Sequence, residues 1–250
     1  MNIVVCTKRV PASDSKIKIG GDGKSIDPTG VQYQVNEYDR YAVEQAIKTK
    51  EQLGKGTITV VCLGNQDSKK ELKSLLALDV DKAVLINDGG KQHDAYSTAE
   101  ILAAWLKGTP HDLVLLGKQA IDMDNTQMPS RLAALLGYGC AIEVSKLTLD
   151  GSTLVAERDI EGAREVVQCK LPAVVSCTKG LNNPRSPTPK GIMGSGKKPL
   201  EEVPAPSFEA ATRTVSLTLP PEKPPARIVG QGPAAVNDLI LALRNQAKAL

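Results

Sequence analysis

Residues 117–128 have the residue types and spacing best suited to ligand chemistry. They are Gly117, Lys118, Gln119, Ala120, Ile121, Asp122, Met123, Asp124, Asn125, Thr126, Gln127 and Met128, and they follow the apolar residues 113–116. In open parallel sheets, ligands bind beyond the carboxyl ends of the strands. Asn125 and Thr126 are good helix caps, and free N–H groups at a helix start suit a phosphate. The stretch predicts a phosphate-containing ligand, although an Asp-rich turn that only caps a helix explains it equally well.

Two other segments are expected at the same edge of the sheet. One is the loop-to-helix junction Asn36, Glu37, Tyr38 and Asp39, and the other is Leu63 and Gly64 at the end of a strand. Neighbouring strand ends form one crevice in a doubly wound sheet, so the three segments together would hold one mononucleotide. Asp122 and Asp124 would repel a phosphate, so we expect them to bond backbone amides, ribose hydroxyls or adenine donors. Taken alone, Asn36 is more typical of a helix cap.

Patterns typical of catalytic or metal sites are missing from the sequence. Neither GxGxxG nor GxxxxGK[ST] is present, and no Ser/His/Asp set is indicated. His93 and His111 have polar neighbours and no Cys or His at ligand spacing, so we expect surface positions and no metal site. The five cysteines form no CxxC pair, and we expect them to be reduced and mostly buried. No catalytic residue is predicted.

Apolar runs alternate with helix-like segments along the first half of the chain. The runs are residues 3–7, 57–63, 83–86 and 113–116, and this alternation predicts a parallel sheet covered by helices. Helices are expected from Asn36 to Gly54, over 69–78, over 96–106, and from near Asn125 or Thr126 to Leu136. Residues 16–27 contain a Gly-Asp-Gly turn typical of a small hairpin. Alternating segments between Cys140 and Thr178 predict antiparallel strands added to the sheet.

The composition changes after Lys179, and eleven of the sixteen prolines lie between Pro184 and Pro233. We therefore divide the chain into a nucleotide-binding domain over 1–180 and an extended arm over 181–250. Val236, Leu239, Ile240 and Leu243 form an apolar stripe on a helix too short to be stable alone. The stripe either packs on its own domain or binds a partner. The predicted fold class is α/β, a doubly wound, mainly parallel, Rossmann-like sheet with added antiparallel strands and a C-terminal arm.

Composition and charge exclude some classes of partner. The net charge is +3, with 31 basic and 28 acidic residues and 3% aromatics, which argues against nucleic-acid binding. No apolar run has the length of a membrane span, so no membrane insertion is predicted. Met1 leads directly into strand-like residues, and we expect a cytoplasmic protein or the mature form of an organellar one.

Residues 156–176, AERDIEGAREVVQCKLPAVVS, resemble the signature of electron-transfer flavoprotein beta subunits. The matching residues are Arg158, Glu161, Gly162, Glu165, Val167, Pro172, Val174, Val175 and Ser176. Ala163 departs from the family pattern, in which Gly or an acid is usual. GKQAID is similar to the nucleotide loop of that family, and VVCTKRV, NEYDRYAVEQAI and LNNPRSPTPKGIM also match. The resemblance covers roughly residues 1 to 200.

This resemblance implies an electron carrier rather than an enzyme. Such proteins are heterodimers whose alpha subunit holds most of one FAD, while the beta subunit binds AMP. They accept electrons from flavin-dependent, acyl-CoA-type dehydrogenases and pass them to a downstream acceptor. The implied nucleotide site comprises Cys6, residues 36–39, Leu63 and residues 117–128, to which the strand pattern adds Gly64.

The resemblance also implies contacts with partner proteins. Glu165 corresponds to a glutamate that meets an arginine of the alpha subunit near the flavin, although from the sequence alone it is an exposed strand residue. Residues 183–193 correspond to the loop that docks the dehydrogenase, which from its composition alone would be a solvated linker. Pro189 stands where the family presents a leucine anchor, and Pro189, Ile192 or Met193 is expected to supply the apolar contact.

Two alternatives remain open from the sequence. A flavin-bifurcating relative would hold a second FAD in the beta subunit and receive hydride from NADH. Met123 stands where those proteins have a glycine that admits the larger ligand. From another class, the chain could be an adenine-nucleotide-dependent hydrolase or a sensing module.

Overall fold

The computed structural model describes residues 1–223 and 225–250. The strands are β1 (Asn2–Thr7), β2 (Arg9–Pro11), β3 (Tyr33–Val35), β4 (Thr57–Gly64), β5 (Lys82–Asn87), β6 (Leu113–Gly117), β7 (Gly139–Val144), β8 (Lys146–Asp150), β9 (Thr153–Ile160), β10 (Ala163–Lys170), β11 (Ala173–Cys177) and β12 (Leu200–Pro204). The helices are α1 (Glu37–Leu53), α2 (Lys69–Leu76), α3 (Ala95–Lys107), α4 (Met128–Leu136), α5 (Pro189–Ser195) and α6 (Val236–Ala242). A π-helical turn, Leu243–Ala247, follows α6.

Seven strands form a central sheet in the order β12-β5-β4-β1-β6-β11-β7, and every neighbouring pair is parallel. The chain builds outward from β1 to β4 and β5, and then continues on the other side of β1 with β6. The order therefore reverses between β1 and β6, where such sheets bind ligands beyond the strand ends. The predicted α/β fold class is confirmed.

Both faces of the sheet are buried, which explains the continuous apolar runs. Ile3 and Val5 belong to the core beneath α1 and α2, whereas Val4 belongs to the core beneath α3 and α4. A strand covered on both faces has no polar side to alternate with its apolar one. The sequence of β1 is consequently apolar at successive positions.

The boundaries of two helices show what capping patterns can predict. Helix α1 begins after Asn36, as expected, and ends at Gly54, whose φ of 65° is left-handed. Helix α4 begins at Met128, later than the predicted Asn125 or Thr126. Asp124 and Thr126 have φ values of 46° and 51°, so this part of the chain turns before the helix starts.

The antiparallel strands form a sheet of their own. Strands β8, β9 and β10 pair in the order β10-β9-β8, separate from the central sheet, whereas β11 joins the central sheet in parallel. The prediction of antiparallel strands was right, but their addition to the central sheet was wrong. In the 16–27 segment, a single antiparallel bridge joins Ile19 to Ile26.

The segment after residue 180 stays in contact with the domain as far as Leu217. Strand β12 pairs with β5 and so extends the central sheet, with Leu200 opposite Ala83. Farther along, Thr212 N donates to Asp94 Oδ2 at 2.8 Å and Leu217 N donates to Gly23 O at 2.8 Å. The division at residue 180 stays a prediction. None of the helices in the described residues is long and apolar enough to span a membrane.

Candidate functional site

A cavity of about 230 Å³ lies at the carboxyl ends of β1, β4 and β6, beside the starts of α3 and α4. Of the residues expected from the sequence, those that line it are Cys6, Asp39, Leu63, Gly117, Lys118, Gln119, Ala120, Met123, Asn125, Thr126, Gln127 and Met128. The three predicted segments thus meet at one cavity. Asn36, Glu37, Tyr38, Gly64, Ile121, Asp122 and Asp124 do not line it.

Asn36 does not line the cavity but holds a loop that does. It occupies the cap position of α1, but its side chain makes no capping bond. Its Nδ2 donates to Gln119 O at 2.8 Å, and its Oδ1 accepts from Ile121 N at 3.0 Å. Only 1% of Asn36 is exposed. The side chain therefore holds residues 119–121 against the start of α1 instead of capping the helix.

Asp39 joins three strand ends at the back of the cavity. Its Oδ2 accepts from Lys8 N at 2.7 Å, and its Oδ1 accepts from Gly117 N at 3.0 Å. Asn36 Nδ2 also donates to Oδ1, at 3.0 Å. Burial raises the pKa of Asp39 to about 7, against the three N–H donors, which favour the charged form.

Replacing Asp39 by Asn is expected to flatten the dependence of stability on pH. The unfolded carboxyl has a pKa near 3.8, so between that value and about 7 the folded chain holds a proton that the unfolded chain has lost. The contribution of Asp39 to stability therefore falls as the pH rises through this window. The measurement is the thermal midpoint of wild type and Asp39→Asn between about pH 4 and about pH 8. If the thermal midpoints of the two proteins changed with pH in parallel, the raised pKa of Asp39 would be contradicted.

Residues 124–127 form a turn suited to an anion. Asp124 and Thr126 are left-handed, whereas Gln127 is right-handed, with a φ of −86°. In the described part of the chain, the N–H groups of Asn125, Thr126 and Gln127 donate to no protein acceptor. Successive N–H groups in alternating left- and right-handed conformations make a concavity that binds anions. The turn also leads into the N-terminus of α4.

Asp122 and Asp124 have side-chain partners that the sequence did not indicate. Asp122 accepts from Lys8 Nζ at 2.7 and 2.9 Å, which links the loops after β1 and β6. Asp124 Oδ1 accepts from Gln119 Nε2 at 2.6 Å. Each carboxylate is therefore directed to a donor within the protein and stabilises the loop around the cavity.

Sequence reasoning missed the wall formed by α3 and the loop between β5 and α3, and it missed three lining residues at the ends of β1 and β6. The missed lining residues are Thr7, Lys8, Asp88, Lys91, His93, Asp94, Ala95, Thr98, Leu102 and Leu116. Asp94 caps α3, since its side chain accepts from Ser97 N at 2.9 Å, and a cap pattern would have found that helix start. A second cavity, of about 520 Å³, shares Asp88, Lys91 and His93 with the first and extends toward β12.

The two histidines are less exposed than expected. The His93 side chain is 11% exposed, and its Nε2 lies 3.6 Å from Asp88 Oδ2. His111 is also partly buried, and its Nδ1 lies 2.7 Å from Thr109 O. The expectation of surface positions was wrong, because the His93 ring packs beside Asp88 and Ser97 and the His111 ring lies 5.6 Å from that of Tyr138. The described residues hold no cluster of three His, Cys, Asp or Glu side chains that could bind a metal.

The cysteines near the cavity are not poised for chemistry. Cys6, Cys62 and Cys177 are buried, and burial raises the pKa of the Cys6 and Cys62 thiols to about 12. A thiol with so high a pKa stays protonated and is a poor nucleophile. Cys6 contributes a small apolar surface to the cavity.

The residues expected to contact partners lie outside the cavity. Glu165 is on β10 and forms an ion pair with Arg158 on β9. Pro189, Ile192 and Met193 come together on α5, where Ile192 is 57% and Met193 83% exposed. Apolar side chains this exposed are available to another protein.

Comparisons with known proteins place these features in a family context. Residues 24–208 match the family model described as "Electron transfer flavoprotein domain". The chain is 38% identical over 260 residues to the "Electron transfer flavoprotein subunit beta" of Bacillus subtilis (strain 168), with 100% of both chains covered. It is 32% identical to the protein of the same name from Mus musculus, covering 98% of this chain and 97% of the relative. The Homo sapiens protein of that name is 31% identical, with the same coverage.

Proposed function

The chain belongs to the electron transfer flavoprotein family as a beta subunit, and from this premise we propose that it works within a heterodimer that carries electrons between proteins. In this proposal an alpha subunit holds most of one FAD, and flavin-dependent, acyl-CoA-type dehydrogenases are the donors. A downstream acceptor receives the electrons. The flavin supplies the redox chemistry when bound. The residues of this chain bind a nucleotide, support the partner and present a docking surface.

The observation that carries the nucleotide part of the proposal is the turn at the mouth of the cavity. Its three free N–H groups, on Asn125, Thr126 and Gln127, are suited to the phosphate of AMP. The cavity of about 230 Å³ favours a mononucleotide over a much larger dinucleotide. Met123, which lines the cavity, takes up space that a glycine would leave open. AMP would thus be a structural ligand enclosed by the loops after β1, β4 and β6.

The heterodimer is supported by an apolar surface that the described chain leaves open. On α6, Val236 is 51%, Leu239 46% and Ile240 38% exposed. Burying such side chains would contribute about 1.5 to 3 kcal/mol each before the entropy of ordering the arm is subtracted. An alpha subunit is the partner that we propose for this stripe. Glu165 on β10 is the second proposed contact, with an arginine of the alpha subunit.

A second candidate is the flavin-bifurcating type, with a second FAD in this subunit and NADH as the electron source. The cavity of about 520 Å³ favours it, because Asp88, Lys91 and His93 line both cavities and the two together offer more room. Met123 argues against it.

A hydrolase receives little support from the site. Ser97, His93 and Asp88 have the residue types of a hydrolase triad and lie near one another. Ser97, however, is fully buried. Its Oγ lies 2.9 Å from Asp94 Oδ1, to which it donates, and 3.4 Å from His93 Nδ1. A buried hydroxyl that donates to the Asp94 cap of α3 cannot reach a substrate. We therefore propose no catalytic residue for this chain.

The purified complex is expected to release AMP and FAD in equal amounts. This chain would be co-expressed with the alpha subunit, denatured by heat, and the released nucleotides quantified by mass spectrometry and absorbance. Two FAD per heterodimer and no AMP would establish the bifurcating type instead. An extract that contains one FAD per heterodimer and no other adenine nucleotide would refute the proposed nucleotide site in this chain. The alpha subunit purified alone provides the control.

A further inference from the structure

The segment before α5 is bound to α1 by one arginine. Arg185 Nε and Nη2 donate to Glu44 at 2.9 and 3.0 Å, and Nη1 and Nη2 donate to Glu51 at 2.7 and 3.1 Å. Its backbone N–H donates to Glu44 Oε2 at 3.1 Å. The Glu44 side chain is only 4% exposed. Paired bonds from a planar guanidinium to two carboxylates fix both position and orientation.

The segment after α5 is bound to the C-terminus of α2 by one lysine. Lys198 Nζ donates to Leu76 O at 2.9 Å and to Leu78 O at 2.7 Å. These carbonyls lie at the end of a helix, where the dipole favours a cation. The chain is thereby held on both sides of α5.

Helix α5 itself touches α2 at a point with no room for a side chain. A Cβ at Gly191 would lie 2.1 Å from Ala77 O, far below any permitted contact. Thr188 caps α5 by accepting from Gly191 N at 3.1 Å. Only glycine at this position lets the helix lie directly on the end of α2.

These three contacts leave one face of α5 directed outward. Pro189, Ile192 and Met193 are exposed on it, and Lys190 and Lys197 are exposed beside it. Neither lysine forms an ion pair within the described residues. An apolar centre flanked by cations fits a partner with an apolar pocket and an acidic rim.

We propose that Arg185, Gly191 and Lys198 form a three-point clamp that fixes α5 in advance for docking of an electron-donor protein with an apolar pocket and an acidic rim. The inference rests on the proposed function, whose docking loop it deepens. None of the three residues contacts the donor, so each is a positioning residue. A surface ordered before the encounter loses less conformational entropy on binding, and its loosening weakens docking without changing the flavin.

The test uses Arg185→Met, Gly191→Ala and Lys198→Met in the assembled heterodimer. Each is expected to raise the KM for the reduced dehydrogenase about 3-fold to 10-fold, while kcat and FAD content stay at their wild-type values. Lys198→Arg, which keeps a cation for the same carbonyls, is expected to restore a KM near wild type. Lys82→Met is the matched control, because the Lys82 side chain pairs with Glu201 at 2.8 Å between β5 and β12 and not with α5 or the end of α2.

Hydrogen exchange of the heterodimer gives a second readout that needs no dehydrogenase. The amides of residues 186–197 are expected to exchange faster in the three clamp variants and at the wild-type rate in Lys82→Met. Unchanged exchange in this segment would overturn the clamp, as would an unchanged KM. If wild type accepts no electrons from any such dehydrogenase while the clamp variants do loosen residues 186–197, the proposed function fails and the clamp stands.

Discussion

A heterodimer carrying Gly117→Ala is expected to purify without its adenine nucleotide. A Cβ at this position would lie 2.5 Å from Asp39 Oδ1, 2.6 Å from Tyr38 Cβ and 2.7 Å from the Tyr38 carbonyl carbon. All three atoms belong to the first turn of α1, and Tyr38 Cβ and the Tyr38 carbonyl carbon are fixed by the helix backbone, so they cannot move aside without the helix. Overpacking of this kind costs about 1 to 3 kcal/mol. The start of α1 must move away from β6, and this separates Asp39 and Asn36 from the loop that closes the cavity.

The measurement is the nucleotide content of the purified variant, together with its thermal midpoint. Gly108→Ala is the matched control. Gly108 has a φ of −90°, and its nearest atom to an added Cβ is Trp105 O at 3.6 Å, an ordinary contact. This control is expected to keep full nucleotide content. Wild-type AMP content in Gly117→Ala would show that the close contact between β6 and α1 is dispensable for the site.

Met193→Glu is expected to slow electron transfer from the dehydrogenase about 30-fold or more at subsaturating donor concentration. Met193 is 83% exposed on α5 and is the most prominent apolar side chain of the docking surface. A carboxylate placed in an apolar pocket loses its hydration, and a cost of about 2 kcal/mol corresponds to this factor. An acidic rim on the partner would repel the new charge as well.

Stopped-flow reduction of the complex by the reduced dehydrogenase measures this effect. Flavin content and the size of the heterodimer are expected to stay at wild-type values, because Met193 packs against neither core of the sheet. Ile17→Glu serves as the control, since Ile17 is 37% exposed on the segment between β2 and β3 and is not part of α5. Equal rates for Met193→Glu and wild type would remove α5 from the docking role.

The sequence predicted the central sheet well because strands that are buried on both faces are apolar at successive positions. Continuous apolar runs such as Val4, Val5 and their neighbours occur where helices cover both sides of a strand. The alternation in β9 and β10 correctly predicted antiparallel pairing. It did not specify which strands pair. Strands β8–β10 form a separate sheet because consecutive strands joined by short turns pair with one another, with Asp150 opposite Thr153 and Ile160 opposite Ala163.

The sequence predicted which strand ends form the site. It did not predict which partners the side chains at those ends would bond. Asn36 occupies the expected cap position, yet its amide bonds Gln119 and Ile121 some eighty residues away, with separations of 83 and 85. The Lys8–Asp122 pair likewise joins two loops that only the fold brings together. Local propensity places a residue at a boundary, whereas tertiary packing decides which groups its side chain meets.

Strand β12 has a consequence for the chain during its synthesis. It is the last strand of the central sheet and pairs with β5, so β5 presents an open edge until residues 200–204 have been made. An open edge of apolar sequence is a template for unwanted pairing with other chains. The strand that finally covers it carries Glu201, Glu202 and Pro204. Charges and a proline on an outermost strand discourage further strand addition, so the finished sheet is protected against aggregation by the segment that completes it.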